Sequence, residues 1–153
     1  MYSASDIANW FLRHNEEKVS SGADGISNLK LQKLLYYAQG ASLALNGHPL
    51  FKEDIYAWKH GPVVPEVYYE FNKYGSNSIP VSECSNIVDI DSDDIDLLEQ
   101  VYDIFGQFSA WKLRDLTHRE TPWKTTRQSE VIDNEKIKQY FLEHYITTED
   151  EQE

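Results

Sequence analysis

Four groups of side chains in this sequence could carry chemistry, and each has a plainer reading beside it. Residues 89–100, DIDSDDIDLLEQ, put Asp89, Asp91 and Asp93 where a calcium loop takes oxygen ligands. The same loop needs a glycine where Asp94 stands and a bidentate glutamate where Gln100 stands. Acidic side chains at a helix start complement the helix dipole, and that reading outweighs calcium. His118, Arg119, Glu120, Pro122 and Trp123 could be drawn as an acid–base site. They serve equally as a helix connection, with Trp123 as a core or groove anchor. The histidines His14, His48, His60, His118 and His144 show no metal-ligand spacing, and there is no cysteine pair for zinc. Cys84 has no nearby histidine to activate it and reads as an inert thiol. Gly22 and Gly25 fit no phosphate-loop spacing. The sequence thus leads us to expect no catalytic set, no metal and no cofactor, and a protein that is not an enzyme.

Aromatic residues are the stronger signal. Tyr36, Tyr37, Trp58, Tyr68, Tyr69 and Tyr74 gather in the first half. Tyrosine and tryptophan bury large areas with few rotors and keep a polar edge, which favours them at protein interfaces. Adjacent helical residues point about 100° apart. One member of Tyr36–Tyr37 and one of Tyr68–Tyr69 is therefore expected to face inward while the other reaches a surface or groove.

The elements that must position these residues are mostly helices. In residues 27–45, apolar side chains cover nearly the whole circumference of a helix, leaving Lys30, Lys33 and Gly40 as a narrow polar or small stripe. Such a helix is one that others pack around. Helix starts recur as a capping residue preceded by an apolar residue. Tyr2-Ser3, Ile26-Ser27, Ile90-Asp91, Phe108-Ser109 and Ile132-Asp133 fit, and Thr121-Pro122 adds a start with proline at the first helical position. Helices are expected over residues 3–19, 27–46, 65–74, 91–105, 109–117, 121–128 and 133–145, with Gly47 ending the second. Residues 55–58 suggest a short strand, and Gly61-Pro62 a turn. The expected fold is mainly α: a compact single-domain helical bundle around a central buried helix, with a small β element near residues 51–58. Residues 1–146 form the domain, and residues 147–153 an acidic flexible tail.

Bulk properties narrow the function. The chain has 153 residues and a formal net charge of −12. That balance opposes binding to nucleic acid, which needs clustered cations to displace counterions. The best local basic patch, Lys112, Arg114, Arg119, Lys124 and Arg127, reads as solvated helix faces. An acidic surface suits solubility or a basic protein partner. No apolar run is long enough to span a membrane, no signal peptide is read at the N-terminus, and one cysteine allows no internal disulfide. A cytoplasmic location is expected.

Residues 29–71, LKLQKLLYYAQGASLALNGHPLFKEDIYAWKHGPVVPEVYYEF, resemble the Panacea domain, the family of SocA-like antitoxins and phage-associated GepA-like proteins. The resemblance rests on Leu31 to Tyr37, Gly47 with Pro49-Leu50-Phe51, Ala57-Trp58, and Gly61-Pro62-Val63-Val64-Pro65. LTHRETPW at 116–123 and IKQYF at 137–141 extend it, while His60 departs from the aromatic residue frequent there. The resemblance implies a prophage-type antitoxin that neutralises a cognate toxin protein by direct contact. It also implies two alternatives: an adaptor delivering the toxin to a ClpXP-type protease, engaged through the acidic tail or residues 112–127, or a prophage-encoded interaction protein of unknown partner. Partner contact is expected from an aromatic-lined face of the central helix and the Gly61-Pro62 region, with Lys33, Tyr37, Trp58, His60, Tyr68, Tyr69, His118 and Trp123 as the candidates. A weaker option is an enzyme built on His118, Glu120 and Cys84.

Overall fold

The structure, a computed structural model, describes residues 1–81 and 89–146. Cys84 and the acidic tail expected at 147–153 lie outside them, as does part of the irregular stretch before Asp91. Among the described residues seven α-helices and one small hairpin follow in chain order: α1 (Ala4–Val19), α2 (Asn28–Asn46), β1 (Tyr56–Trp58), β2 (Gly61–Val63), α3 (Pro65–Phe71), α4 (Ser92–Phe105), α5 (Ala110–His118), α6 (Thr121–Lys124) and α7 (Asn134–His144). A 3-10 turn, Asn72–Tyr74, follows α3. The fold is mainly α, and no helix in the described residues is long and apolar enough to cross a membrane.

The expected starts hold where a serine or aspartate side chain can reach back. Ser3 forms a reciprocal capping box with Asp6, Ser27 accepts from the Lys30 amide, Ser109 from that of Lys112, and Asp133 from that of Glu135. Each such cap satisfies an amide that the helix itself leaves unpaired. Asp91 occupies the start of α4, but its side chain makes no cap bond. Instead the Tyr2 hydroxyl ties this start, accepting from the Asp91 amide at 3.0 Å and donating to Asp94 Oδ2 at 2.8 Å. Gly47 ends α2 at φ 79°, the left-handed conformation that glycine adopts without penalty.

The central helix is enclosed more completely than expected. Lys30 and Lys33 are buried along with the apolar residues, so no polar stripe faces solvent. A buried amine or amide must be hydrogen-bonded, and the polar residues of α2 bond to the backbone packed around it. Lys30 Nζ donates to Gly106 O at 2.6 Å, and Lys33 Nζ to Pro62 O at 2.9 Å. Gln39 Oε1 accepts from the amides of Leu50 and Phe51, and Gln32 Oε1 from that of Val64. Gly40 lies directly under the Phe141 ring of α7, where a Cβ would overlap the ring.

Two expectations about local structure are corrected. Gly61-Pro62 is not the turn but the start of β2. The register Trp58↔Gly61 puts Lys59 and His60 at the hairpin tip. Helix α6 stops at Lys124 instead of running to 128. Thr125 and Thr126 hydroxyls bond back to the carbonyls of Thr121 and Pro122. Residues 129–132 then run beside β1, with the Ala57 amide on Glu130 O at 2.9 Å and the Ile132 amide on Ile55 O at 2.7 Å. Both edges of β1 are therefore paired.

Candidate protein-interaction site

The hairpin, α2 and α3 enclose a groove of about 310 Å³ on the protein surface. Four of the eight candidate residues line it: Lys33, Trp58, His60 and Tyr68. Trp58 and Tyr68 meet edge to face at 5.2 Å between ring centroids. Tyr69, 63% exposed, stands 6.0 Å from Trp58 and 5.4 Å from Tyr68. Of the second tyrosine pair, Tyr68 thus packs on Trp58 and is partly covered, while Tyr69 reaches solvent.

His118 and Trp123 sit behind the hairpin and do not line the groove. Their rings stack at 4.0 Å, and Trp123 Nε1 donates to Trp58 O at 2.8 Å, which fixes β1 from the rear. Burial lowers the pKa of His118, and the cations of Arg114 and Lys33 add to this. Burial likewise lowers His60, followed by Arg114, Lys59 and Lys33. His60 Nδ1 accepts from Arg114 Nε at 3.0 Å, which requires the neutral imidazole with its proton on Nε2. The Arg114 guanidinium also lies over the exposed Trp111 ring at 4.5 Å.

Lys33 lies at the groove floor, only 1% exposed. Loss of hydration, reinforced by Arg114, pushes its amine down to about 7. Gly61 crosses directly above it at φ 112°; a Cβ there would stand 2.7 Å from Lys33 Cε and 2.8 Å from Thr117 Oγ1. Gly61→Ala therefore combines a conformation hostile to side chains with two contacts too short to accept. A loss of about 1–3 kcal/mol is expected, read as a lower urea midpoint at unchanged slope.

Tyr37 stands elsewhere, and its placement corrects the expectation that one tyrosine of the first pair faces outward. Both Tyr36 and Tyr37 are fully buried and converge on the carboxylate of Glu120, itself 1% exposed. Tyr36 donates to Glu120 Oε1 at 2.9 Å and Tyr37 to Oε2 at 3.0 Å, and the Tyr145 hydroxyl donates to Oε2 as well. Burial raises the Glu120 pKa while the three hydroxyls pull it back. Glu120 occupies the position before α6, where its side chain makes no cap bond and turns inward. The acid–base pair drawn from His118 and Glu120 is not assembled: the ring stacks on Trp123, and the carboxylate is occupied by three tyrosines. Sequence reading missed this cluster. The available signal was two adjacent tyrosines on a helix buried all round, each hydroxyl needing a partner.

The exposed cations Lys112, Arg119, Lys124 and Arg127 lie on the solvent side of α5, α6 and the following turn. Of the five cations, Arg114 reaches the hairpin, through His60.

Residues 31–124 match the family described as antitoxin SocA-like, Panacea domain. The matched segment runs from α2 through α6 and includes Lys33, Trp58, His60 and Tyr68 of the groove. Antitoxin SocA of Caulobacter vibrioides (strain NA1000 / CB15N) is 38% identical over 109 residues, 64% of this chain and 58% of that protein. The chain therefore spans less than two thirds of that relative's length. No solved structure matches the chain. With more than half of its residues matched, the chain belongs to the SocA-like antitoxin, Panacea-domain family.

Proposed function

We propose that this protein is an antitoxin that neutralises a cognate toxin protein by direct binding, and that the groove between the hairpin, α2 and α3 is the contact face. One observation supports the reading: most of the residues lining this groove fall within the segment that matches the SocA-like antitoxin family. Trp58, Tyr68 and Tyr69 supply there the rigid amphipathic area that dominates binding energy at protein interfaces. Paired backbone on both sides of β1 argues against strand addition and for side-chain contact. Delivery to a protease has no feature among the described residues that favours it, and the tail expected to serve it lies outside them.

Coexpression with the product of the adjacent gene tests the proposal. Growth arrest by that product, relieved by this protein, together with a complex that copurifies, is the expected result. An adjacent product that is harmless, or rescue without any complex, overturns direct neutralisation. Trp58→Ala separates binding from folding. Read as a core residue, Trp58 would cost about 3–5 kcal/mol on truncation. It is only half-buried, so a stability loss of about 1–2 kcal/mol is expected. Binding is expected to weaken by about thirtyfold, the effect of losing an aromatic anchor. Thermal melting and calorimetry of the same variant measure the two.

A further inference from the structure

Two other grooves take acidic residues into their lining: one along α1 has Asp6, Glu17 and Asp89 together with Arg13, and the other has Asp89, Asp91 and Asp94. The groove at the hairpin is different. None of its lining residues is acidic, and Lys33, Lys59 and His60 are among them, on a chain of net charge −12. Its floor holds a buried amine whose single hydrogen bond goes to Pro62 O, leaving further hydrogens of that amine unengaged. Trp58 and Tyr68, packed edge to face, line the same groove.

We infer that this groove receives a carboxylate side chain from an acidic segment of the protein partner, with an apolar neighbour of that carboxylate lying on Trp58 and Tyr68. The carboxylate meets Lys33 at the floor, and Lys59 and His60 guard the mouth. This rests on the groove being the contact face, and adds what the partner must present there. A carboxylate paired with a buried amine is a charge-assisted bond, stronger than its solvent-exposed equivalents. The long-range field of the chain draws a basic partner, while this groove demands one acidic residue in register. Two requirements of opposite sign make recognition selective.

Random dodecapeptides displayed on phage, selected on the full chain and counter-selected on the Trp58→Ala protein, test it. The selected peptides are expected to share an Asp or Glu beside an aromatic or aliphatic residue. Changing that acid to its amide should weaken the synthetic peptide about tenfold. Lys59→Glu, at an exposed position, should weaken it without altering the melting curve. In Lys33→Met the acid and amide peptides should bind alike. Neutral or basic peptides, or an acid that can be replaced without loss, overturn the carboxylate inference and leave the groove a contact face. If no peptide survives counter-selection, the contact face itself is overturned together with the inference.

Discussion

Replacing Glu120 with alanine is expected to destabilise the protein by about 3–5 kcal/mol, the range for removing one member of a buried charged network. The cost does not come from the carboxylate alone. Tyr36, Tyr37 and Tyr145 each lose their hydrogen-bond acceptor, and an orphaned buried hydroxyl costs about 1–3 kcal/mol. Tyr145 is partly exposed, so water can reach its hydroxyl, and the full sum is not reached. Glu120→Gln is the informative contrast. It keeps the shape and one acceptor oxygen, and its amide can donate to a phenol oxygen, so about 1–2 kcal/mol is expected. The raised Glu120 pKa gives a second readout. The folded state holds that proton more tightly than the unfolded chain, so the contribution is complete below the ordinary value of 4.5 and is lost as pH rises through the folded value. Glu120→Gln should remove that acid-side slope. Urea midpoints that match wild type for the alanine variant would show that the cluster contributes nothing.

Stability should also climb between pH 7 and about 10 and then fall steeply, for two separate reasons. Lys33 is pushed down to about 7 from 10.5. In that interval the unfolded chain binds the proton and the folded one does not, so stability rises with pH by up to about 1.4 kcal/mol per pH unit. Above pH 10 the tyrosines reverse the trend. Burial and the Glu120 charge raise both Tyr36 and Tyr37 above their ordinary value of 10.0. The unfolded chain then loses two phenolic protons that the folded chain keeps, and stability falls by about 3 kcal/mol per pH unit for the pair. Urea titrations from pH 6 to 11 measure both limbs. Lys33→Met should flatten the climb, and Tyr36→Phe with Tyr37→Phe should soften the fall. A level profile in the wild-type protein would contradict the burial of both groups.

What could be read from the residues follows the range of the interaction. Ser3, Ser27, Ser109 and Asp133 cap helices through atoms two or three positions away, and Gly47 ends one through its own backbone. Such features are written locally and were legible. So was the grouping of Lys33, Trp58, His60 and Tyr68, because adjacent segments build that groove. Glu120 meets Tyr36 across 84 positions, and no periodicity reports a pairing of that reach. The burial of Lys30 and Lys33 was hidden for the same reason: their acceptors are the carbonyls of Gly106, at the end of α4, and Pro62, in β2. Helix α6 was overextended because helix propensity does not register threonine hydroxyls bonding back to the preceding turn.

The seat of Phe141 over Gly40 and the reach of Tyr145 to Glu120 have a consequence for biosynthesis. The ribosome delivers α2 long before α7, and until residue 145 has cleared the exit tunnel the central helix has a bare flank and Glu120 lacks one of its three donors. Chains arrested before that point carry the groove residues but not the strut that steadies them. Competence to hold a partner should therefore switch on late in translation, in one step, instead of growing with chain length.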